Sequence, residues 1–508
     1  MSLLTAAVCE KTITDFSRYI DKAAHSGAEA IELRLDYLES LTPAATAELV
    51  RRAVRHACSK IITTCRDMRE DGRNAYQDEL RFTALFEAVK AGANFIDMEF
   101  ANIHKPQAKE VMELADKHGA RVIISAHSFS GPFPDLQAQY DTMYEACPQA
   151  IIKIAYMPKH INDCFAAVDV LAKRKGDAAI LAMGEAGLFT RILAPKIGSF
   201  FSFATIGDSV TAPGQVSLKQ MIKRYRFEKI DSNTRVYGII AYPVCHSMSP
   251  AIYNKTFRKA GCNAVFLPLA VEGGKQEFNA FLDNLRKRPA LGFEGFSVSL
   301  PHKVSAFEYA EANGSLTERA RRIGASNTLR INPLSADNTD YAGAHIPLKS
   351  ALEGKKQIKA AVLGAGGVAR AVVAALADLS AEITIFNRTV SKAEALAGEF
   401  GAKAAPIGDF SGGFDVVVNC TSLGMSPNNL CCPIDTSFID SSMVVFDTVY
   451  NPLETMLLSE SKATGAVILD GLEMFAQQAI EQCAFIAGLE MSEALIRKAV
   501  RKEMKHKA

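Results

Sequence analysis

Short apolar stretches alternate with amphipathic stretches along about the first 225 residues of the chain. Apolar stretches of about four to eight residues have the length of buried strands, and the amphipathic stretches between them have helical spacing. Eight strands are predicted in this region: Leu3–Glu10, Ala30–Asp36, Lys60–Arg66, Asn94–Phe100, Arg121–His127, Ala150–Met157, Ala179–Gly184 and Phe200–Thr205. Eight strands in regular alternation with helices favour a closed parallel (β/α)8 barrel, the TIM-barrel fold.

The predicted strands carry polar side chains at or near their carboxyl ends. These side chains are Glu32, Arg34, Arg66, Glu99, His127 and Lys153. Barrels of this kind place their chemistry at the carboxyl ends of the strands. We therefore expect the six side chains to surround one site at that rim.

The alternating pattern breaks over residues 219–234, which predict a junction. Beyond it we expect a small α/β unit, a second α/β unit, and a helical stretch, Met474–Lys502, that can pack back on the small unit. The predicted fold class is α/β throughout. The predicted domains are residues 1–228 for the barrel, residues 234–340 with 470–505 for the small unit, and residues 341–469 for the second unit.

A glycine-rich turn follows the apolar run 358–363. It reads Gly364-Ala365-Gly366-Gly367-Val368-Ala369 and precedes a helical pattern. In such a strand–turn–helix, the first glycine makes the turn, the second lets the backbone approach a pyrophosphate, and a small third residue permits close packing. The turn therefore predicts a dinucleotide site.

The residues after the next apolar strand, Ile383–Phe386, distinguish between dinucleotides. A carboxylate here would bind the ribose hydroxyls of NAD, and the segment Asn387–Lys392 contains none. A guanidinium, hydroxyl groups and an ammonium suit a 2′-phosphate instead. We therefore predict NADP(H) as the cofactor, and the residues predicted to bind it are Gly364, Ala365, Gly366, Gly367, Ala369, Asn387, Arg388, Thr389 and Lys392.

The composition limits the function classes. The chain of 508 residues is 48% hydrophobic and 22% charged, values typical of soluble globular proteins. Its net charge of +1 gives no basis for binding nucleic acid or an anionic membrane surface, and no apolar run reaches membrane-spanning length. The eleven cysteines lack paired metal-ligand spacing, so we expect no metal. Thiols within apolar strands, with no recognisable leader, predict a reducing, cytoplasmic environment.

Lys153 lies within the apolar strand Ala150–Met157, in phase with Ile151 and Ala155. Apolar surroundings disfavour the charged form of an amine and free it to form a Schiff base with a ketone. The same position suits equally a lysine whose ammonium extends to the barrel mouth. His127 ends the preceding strand and is expected beside Lys153, where it can move a proton.

Arg34, Arg66 and Arg191 come from three separate segments. Convergent guanidinium groups bind anions such as carboxylates. Taken singly, each is as well explained by a surface or salt-bridge arginine. Together they favour an anionic, hydroxylated substrate.

The first half resembles type I 3-dehydroquinate dehydratase. The motifs that carry the resemblance are Glu32-Leu33-Arg34-Leu35-Asp36, Thr64-Cys65-Arg66 with Glu70, His127, Lys153, Arg191 and Ala212-Pro213-Gly214-Gln215. The resemblance implies that Lys153 forms an imine with the C3 ketone, that His127 moves the C2 proton to the departing C1 hydroxyl, and that Glu70 orients His127. It also implies that the substrate's hydroxyl and carboxylate groups are bound by Glu32, Arg34, Arg66, Arg191, Thr211 and Gln215. Thr211 stands where the family usually has serine, and it retains the hydroxyl.

Three polar segments precede the glycine turn. They are residues 242–250, residues 296–303, and residues 324–329 with 338–340. Their hydroxyls, amide, lysine and aspartate suit a polyhydroxylated acid beside a hydride donor, although each segment alone is also explained by caps and turns. Lys303 is placed to protonate an alkoxide as hydride arrives, and Asp340 to fix its position.

These segments, with residues 419–425, 450–452 and 470–474, resemble shikimate dehydrogenase from residue 234 to about residue 502. The resemblance implies that Lys303 and Asp340 are the catalytic pair, and that Asp340 also contacts the substrate. It implies further substrate contacts at Ser247, Ser249, Ser297, Ser299, Asn327, Tyr450 and Gln478, and cofactor contacts at Thr421 and Gly471. Two residues depart from the family pattern: Met248 stands where lysine is frequent, and Ser297 where asparagine is frequent.

The two resemblances together imply a fused dehydratase–dehydrogenase of the shikimate pathway, with 3-dehydroquinate, 3-dehydroshikimate and shikimate as its small-molecule partners. A catabolic quinate/shikimate oxidoreductase that uses NAD is disfavoured by the missing acid after Ile383–Phe386. A regulator that binds the metabolites without catalysis is disfavoured because Lys153, His127, Lys303 and Asp340 are all present. An imine-forming barrel of the aldolase type would share Lys153 but has no need of the second half.

Overall fold

Eight parallel strands form a nearly closed barrel at the start of the chain, which confirms the predicted TIM barrel. The computed structural model describes residues 2–56, 59–206, 214–245, 247–426 and 428–505. The barrel strands are β1 (Leu3–Val8), β2 (Ala30–Arg34), β3 (Lys60–Thr64), β4 (Phe95–Glu99), β5 (Arg121–Ser128), β6 (Ile151–Tyr156), β7 (Ala178–Ala182) and β8 (Phe201–Thr205). They are ordered β7-β6-β5-β4-β3-β2-β1-β8, and the Phe200 N–H spans the remaining gap by donating to the Ala178 oxygen at 2.7 Å.

The barrel interior is filled in layers, because alternate residues of each strand point inward. The first layer is apolar and includes Ile123, Ile151 and Phe201. Two residues further along β2 to β6, the next layer is polar and buried: Glu32, Thr64, Asp97, Ser125 and Lys153. The interior therefore changes from apolar to ionic within one strand repeat, below the carboxyl-terminal rim.

Helices surround the barrel. They are α1 (Ile13–His25), α2 (Pro43–Val54), α3 (Asp78–Lys90), α4 (Pro106–His118), α5 (Leu136–Ala146), α6 (Phe165–Lys173), α7 (Leu188–Ile192), α8 (Ala194–Ile197) and α9 (Leu218–Lys223). Most of α9 lies in the stretch 219–234, which the sequence predicts as a junction. Leu218, Met221 and Tyr225 are buried against the barrel, because their apolar side chains cover the side of β8.

A mixed six-stranded sheet follows, here termed the mixed-sheet unit. Its elements are β9 (Arg235–Ala241), α10 (Ser249–Lys259), β10 (Ala264–Ala270), α11 (Lys275–Arg286), β11 (Phe293–Val298), α12 (Lys303–Asn313), β12 (Ser315–Leu316), α13 (Glu318–Ile323), β13 (Thr328–Arg330) and β14 (Ser335–Asp337). The strand order is β10-β9-β11-β13-β14-β12, with β13 antiparallel to both of its neighbours. Arg288 fixes this unit to the barrel through a two-pronged ion pair with Asp169, at 2.7 and 2.6 Å.

The next sheet is entirely parallel and is here termed the parallel-sheet unit. Its elements are α14 (Asp340–Ala351), β15 (Lys359–Leu363), α15 (Gly367–Asp378), β16 (Glu382–Asn387), α16 (Val390–Phe400), β17 (Lys403–Pro406), β18 (Val416–Asn419), β19 (Val444–Asp447), α17 (Met456–Ala463) and β20 (Val467–Leu469). The order β17-β16-β15-β18-β19-β20 reverses direction between β15 and β18. In open parallel sheets, a dinucleotide binds at the carboxyl ends of the strands at that reversal.

The chain then returns to the mixed-sheet unit through α18 (Gly471–Ala487) and α19 (Glu493–Lys505). Apolar side chains of α18, including Ala476 and Cys483, share one core with Tyr253 and Phe257 of α10. This packing brings the first turns of α18 beside the glycine-rich turn. No described helix combines the length and apolar composition needed to cross a membrane.

Candidate active sites

A cavity opens at the carboxyl-terminal rim of the barrel, here termed the barrel cavity. Eight of the nine side chains predicted for the first site line it: Glu32, Arg34, Arg66, Glu70, His127, Lys153, Arg191 and Gln215. The ninth, Thr211, lies outside the described residues. Residues from six separate strands or the loops that follow them thus meet at one place, as the barrel fold requires.

The Lys153 amine is buried, with 5% of the residue exposed, but its surroundings are ionic. Its Nζ lies 2.8 Å from Oδ2 of Asp97 and 3.6 Å from Oε1 of Glu32, and 4.5 Å from the centre of the Phe203 ring. The predicted apolar surroundings of this amine are therefore wrong. The apolar residues Ile151 and Ala155 flank Lys153 along β6, whereas the Asp97 carboxylate comes from β4, two strands away.

Asp97 is the centre of a buried charge network that sequence reasoning missed. Its Oδ1 accepts from Ser125 at 2.7 Å and lies 2.9 Å from Arg66. Arg66 also contacts Glu99 at 3.0 Å. Burial opposes ionisation of Asp97, but the charges of Arg66 and Lys153 outweigh burial and hold the pKa of that carboxyl below its usual range. Asp97 therefore stays anionic beside the amine.

His127 and Glu70 form the second pair in the barrel cavity. Oε2 of Glu70 accepts from the His127 backbone N–H at 3.1 Å and lies 2.8 Å from Nδ1 of the imidazole. Burial, with the charges of Arg66 and Lys153, lowers the pKa of His127 well below its ordinary value. Burial raises the pKa of Glu70 to about 7. A neutral imidazole that donates a hydrogen bond from Nδ1 to the Glu70 carboxylate leaves its Nε2 free as a base for proton abstraction.

The arginines of the barrel cavity differ in how far protein carboxylates already neutralise them. Arg34 forms a two-pronged pair with Asp36 at 2.9 and 2.8 Å, and Arg66 is held by the Asp97 network. Arg191 donates through Nε to the Ala182 oxygen at 3.2 Å, and no carboxylate in the described part of the chain pairs with it. Burial lowers the pKa of Arg191 to about 10, so the group remains a cation at neutral pH. Arg191 is the cation best placed to receive a substrate carboxylate.

A second cavity lies between the mixed-sheet and parallel-sheet units, here termed the cleft cavity. The predicted residues that line it are Ser247, Ser249, Ser297, Ser299, Lys303, Asn327, Asp340, Tyr450, Gly471 and Gln478. They come from segments up to 231 positions apart in the sequence, counting from Ser247 to Gln478. The returning helix α18 completes the wall of this cavity.

Lys303 and Asp340 form a close, buried pair in the cleft cavity. Nζ of Lys303 lies 2.5 Å from Oδ2 of Asp340, and each residue is 6% exposed. Lys303 is the first residue of α12 and Asp340 the first of α14, so two helix starts converge. Asn327 donates to the other carboxylate oxygen at 2.9 Å. Asp340 therefore fixes the position of the Lys303 ammonium, and Asn327 fixes the position of the Asp340 carboxylate.

Gln482 is a residue of the cleft cavity that sequence reasoning missed. Its Oε1 accepts from the hydroxyls of Ser297 and Tyr253, and its Nε2 donates to the Asn327 backbone oxygen at 2.9 Å. Since the Ser297 proton is directed to Gln482, the Ser297 oxygen faces the cavity as an acceptor. The available signal was spacing, because Gln482 lies one helical turn after Gln478 on α18.

The glycine turn between β15 and α15 has the shape that a pyrophosphate needs. Gly364 has φ +106°, which disfavours any residue with a side chain. Gly366 caps α15, and a Cβ placed there would meet no atom within 4 Å, so the space before the helix is open. Open N–H groups at a helix start bind phosphate. The buried Ala369 lets α15 pack closely on the sheet.

Gly471 and Thr421 shape the loops around that turn. A Cβ on Gly471 would lie 2.3 Å from the Val449 oxygen, so only glycine fits at the start of α18. The Thr421 hydroxyl donates to Asn419 at 2.7 Å and accepts from the Leu423 N–H at 3.1 Å. Both residues therefore hold backbone near the carboxyl ends of β18 and β19.

The end of β16 presents the basic segment predicted for a 2′-phosphate. Arg388, Thr389 and Lys392 are exposed, and neither cation has a carboxylate partner among the described residues. The Asn387 amide donates to the Thr389 oxygen at 2.8 Å and shapes the turn. These groups fit NADP. Within the described ranges, no cluster of three His, Cys, Asp or Glu side chains is placed to hold a metal ion.

Three sequence families match this chain in succession. Type I 3-dehydroquinase matches residues 5–232, the shikimate dehydrogenase substrate binding domain matches residues 239–329, and shikimate / quinate 5-dehydrogenase matches residues 348–426. The order of the families is that of the three structural units.

Individual relatives agree with this division. A shikimate dehydrogenase (NADP(+)) of Maridesulfovibrio salexigens is 39% identical over 265 residues, which are 51% of this chain and 93% of that protein. A crystal structure of a shikimate dehydrogenase in complex with NADP+ has a TM-score of 0.50 and 34% identity, and covers 54% of this chain and 97% of its own.

A further relative spans both halves. The bifunctional 3-dehydroquinate dehydratase/shikimate dehydrogenase, chloroplastic, of Arabidopsis thaliana is 31% identical over 518 residues, covering 96% of this chain and 82% of that protein. The chain therefore belongs to the family of bifunctional 3-dehydroquinate dehydratase/shikimate dehydrogenases, in which a lyase barrel precedes an NADP-dependent oxidoreductase.

Proposed function

We propose that the barrel cavity dehydrates 3-dehydroquinate to 3-dehydroshikimate through an imine on Lys153, and that the cleft cavity reduces this product to shikimate with NADPH. The observation that carries the proposal is the burial of one amine, Lys153, in the same cavity as an imidazole, His127, that is held by Glu70. Such a pair can activate a carbonyl compound and remove its neighbouring proton without a metal.

In the first step, the Lys153 ammonium releases one proton and attacks the C3 carbonyl as the neutral amine. That proton returns to the carbinolamine hydroxyl, which departs as water and leaves an iminium ion. The iminium carries the same positive charge as the ammonium of the resting enzyme. Asp97, 2.8 Å from Nζ, therefore stabilises one charge throughout, with no new carboxylate to be brought in. This role is assigned to Asp97 from its position and was not predicted from the sequence.

In the second step, Nε2 of His127 takes the C2 proton, and the electron pair of that C–H bond is delocalised into the iminium. The resulting imidazolium returns the proton to the C1 hydroxyl, which leaves as water, and hydrolysis of the imine releases the product and Lys153. Glu70 stabilises the transient imidazolium through Nδ1. Arg191 is assigned to the substrate carboxylate, while Glu32, Arg34, Arg66, Thr211 and Gln215 are assigned to the remaining polar groups.

In the cleft cavity, NADPH would, when bound, supply the hydride for the ketone carbon. Lys303 donates a proton to the ketone oxygen as negative charge develops there, and Asp340 keeps the ammonium at the oxygen. Ser247, Ser249, Ser297, Ser299, Asn327, Tyr450 and Gln478 are assigned to the substrate. Burial raises the pKa of Tyr450, so its hydroxyl remains protonated and can donate. The phosphates are assigned to the turn from Gly364 to Ala369 and to the segment from Asn387 to Lys392.

Two variants, each tested with two substrates, examine the proposal. Lys153→Ala should give no NADPH oxidation with 3-dehydroquinate and a normal rate with 3-dehydroshikimate. Lys303→Ala should keep the dehydratase activity and lose the dehydrogenase activity. With 3-dehydroquinate, enone absorbance should therefore accumulate without NADPH oxidation. Each variant is the control for the folding of the other half. Loss of both activities in either variant, or an unmodified Lys153 after borohydride treatment with 3-dehydroquinate, would refute the two-site assignment.

We also propose a cytoplasmic location. Cys65, Cys164 and Cys483 are buried free thiols. Buried unpaired thiols suit a reducing compartment. A fluorescent fusion in the source organism tests the location, and signal confined to an organelle would contradict it.

A further inference from the structure

A groove rich in cations lies between the barrel and the mixed-sheet unit, outside both catalytic cavities. It is here termed the basic groove and is defined by Lys219, Lys223, Arg224, Lys255, Arg258 and Lys502. The cations come from α9 of the barrel, from Arg224 directly after it, and from α10 and α19 of the mixed-sheet unit. A concentration of six cations is unusual in a chain whose net charge is +1.

Protein carboxylates leave most of this charge uncompensated. Among the described residues that line the basic groove, Glu503 is the one acidic side chain, and it already pairs with Arg224 at 2.6 Å. Among the described residues, no carboxylate forms an ion pair with Lys219, Lys255 or Lys502. Elsewhere on this chain, cations such as Arg288 and Arg319 do have such partners.

Lys255 shows that the cations act on one another. Burial lowers the pKa of Lys255, and so do the charges of Lys498, Lys502 and Arg258. Like charges held together by a fold are stabilised when a counter-anion binds among them. A single carboxylate neutralises one charge, whereas a phosphate ester or pyrophosphate carries two or more negative charges and several acceptor oxygens.

The basic groove adjoins the cleft cavity directly. Ser247 lines both spaces, and Cys245 and Ser217 also line the groove. Ser217 lies two residues after Gln215 of the barrel cavity. A bound anion would therefore lie close to a wall that the substrate of the cleft cavity also contacts.

We propose that the basic groove binds a small polyanion carrying phosphate groups, and that its occupancy weakens the binding of the anionic substrate in the cleft cavity. The weakening follows from charge, because a bound polyanion removes the positive field that attracts the substrate carboxylate past Ser247. This second effect rests on the proposed function, whereas the binding itself does not.

Calorimetric titration of the full chain with inorganic pyrophosphate, at fixed ionic strength and with NADP+ saturating, tests the binding. Saturation with NADP+ occupies the phosphate site at the glycine turn. We expect one pyrophosphate per chain and at least tenfold weaker binding in the double variant Lys219→Gln, Lys502→Gln. The matched control is Lys109→Gln, Lys117→Gln on α4, which removes two exposed charges far from the groove and should change the affinity less than twofold.

Kinetics test the coupling. Pyrophosphate should raise the KM for 3-dehydroshikimate several-fold at unchanged kcat in the natural chain and in the α4 control, but not in the Lys219/Lys502 variant. Equal weakening in both double variants, or no heat of binding, would overturn the site. A KM that pyrophosphate leaves unchanged would overturn the coupling. A chain that binds pyrophosphate but lacks dehydrogenase activity would count against the proposed function alone.

Discussion

Replacing Glu70 with glutamine keeps a hydrogen-bond acceptor beside His127 but removes its charge. In the natural chain, burial raises the pKa of Glu70 to about 7. Burial also lowers the pKa of His127 well below its ordinary value, so the imidazole is neutral over this pH range. Above pH 7 the Glu70 carboxylate accepts from Nδ1 and stabilises the imidazolium formed during proton abstraction. Below pH 7 it becomes protonated and loses that role. The dehydratase rate should therefore rise through about pH 7, and the Glu70→Gln variant should show no such rise.

The size of the effect follows from the contact itself. A hydrogen bond to a charged group contributes about 1.5–3 kcal/mol, and a neutral one about 1 kcal/mol. Losing the charge at the 2.8 Å contact should thus cost the transition state about 1–2 kcal/mol, which is roughly a five- to thirty-fold fall in kcat on the alkaline side. Enone formation measured between about pH 5 and 9 gives the profile. Unchanged borohydride trapping on Lys153 is the control for imine formation. A variant with the natural rate and an inflection still near pH 7 would refute the role given to Glu70.

Other variants examine the remaining pairs. Asp97→Asn leaves Lys153 and Arg66 without their shared carboxylate, so we expect the free energy of unfolding of the barrel to fall by about 3 kcal/mol, as measured by chemical unfolding. The assays of the two activities should show that dehydratase activity is lost and dehydrogenase activity is kept. Arg388→Asp should shift the ratio of kcat/KM values from NADPH toward NADH, and an unchanged ratio would disprove the role of that guanidinium. Gly364→Ala strains a residue at φ +106° and should raise the KM for NADPH at least several-fold, with dehydratase activity unaffected.

The barrel was predictable because its pattern is local and repeated. Strand lengths, alternation and spacing located all eight strands to within two residues, and the barrel rule placed Glu32, His127 and Lys153 at one rim. What the pattern could not supply was the partner of Lys153. Asp97 lies inward on β4, two strands from β6, and pairing between non-adjacent strands depends on barrel curvature and shear, which one sequence does not encode in any local signal.

The second half shows the same limit. Lys303 and Asp340 were recognisable by their motifs, but Ser297 is fixed by the hydrogen bond that it donates to Gln482, 185 positions later in the chain. The helix α18 presents two glutamines one turn apart, and periodicity alone does not tell which of them is structural. The exposed residues Arg388 and Lys392 were easier to interpret, because the contact proposed between the end of β16 and the cofactor follows from position in a parallel sheet and needs no tertiary partner.

The return of α18 and α19 to the mixed-sheet unit has a consequence for synthesis on the ribosome. The barrel strands and α9 are complete once about 230 residues have emerged, so the dehydratase half can fold while translation continues. The cleft cavity must wait for Gln478 and Gln482, which are translated after the whole parallel-sheet unit. A nascent chain stalled before residue 470 should therefore already form the imine while it cannot yet reduce a ketone.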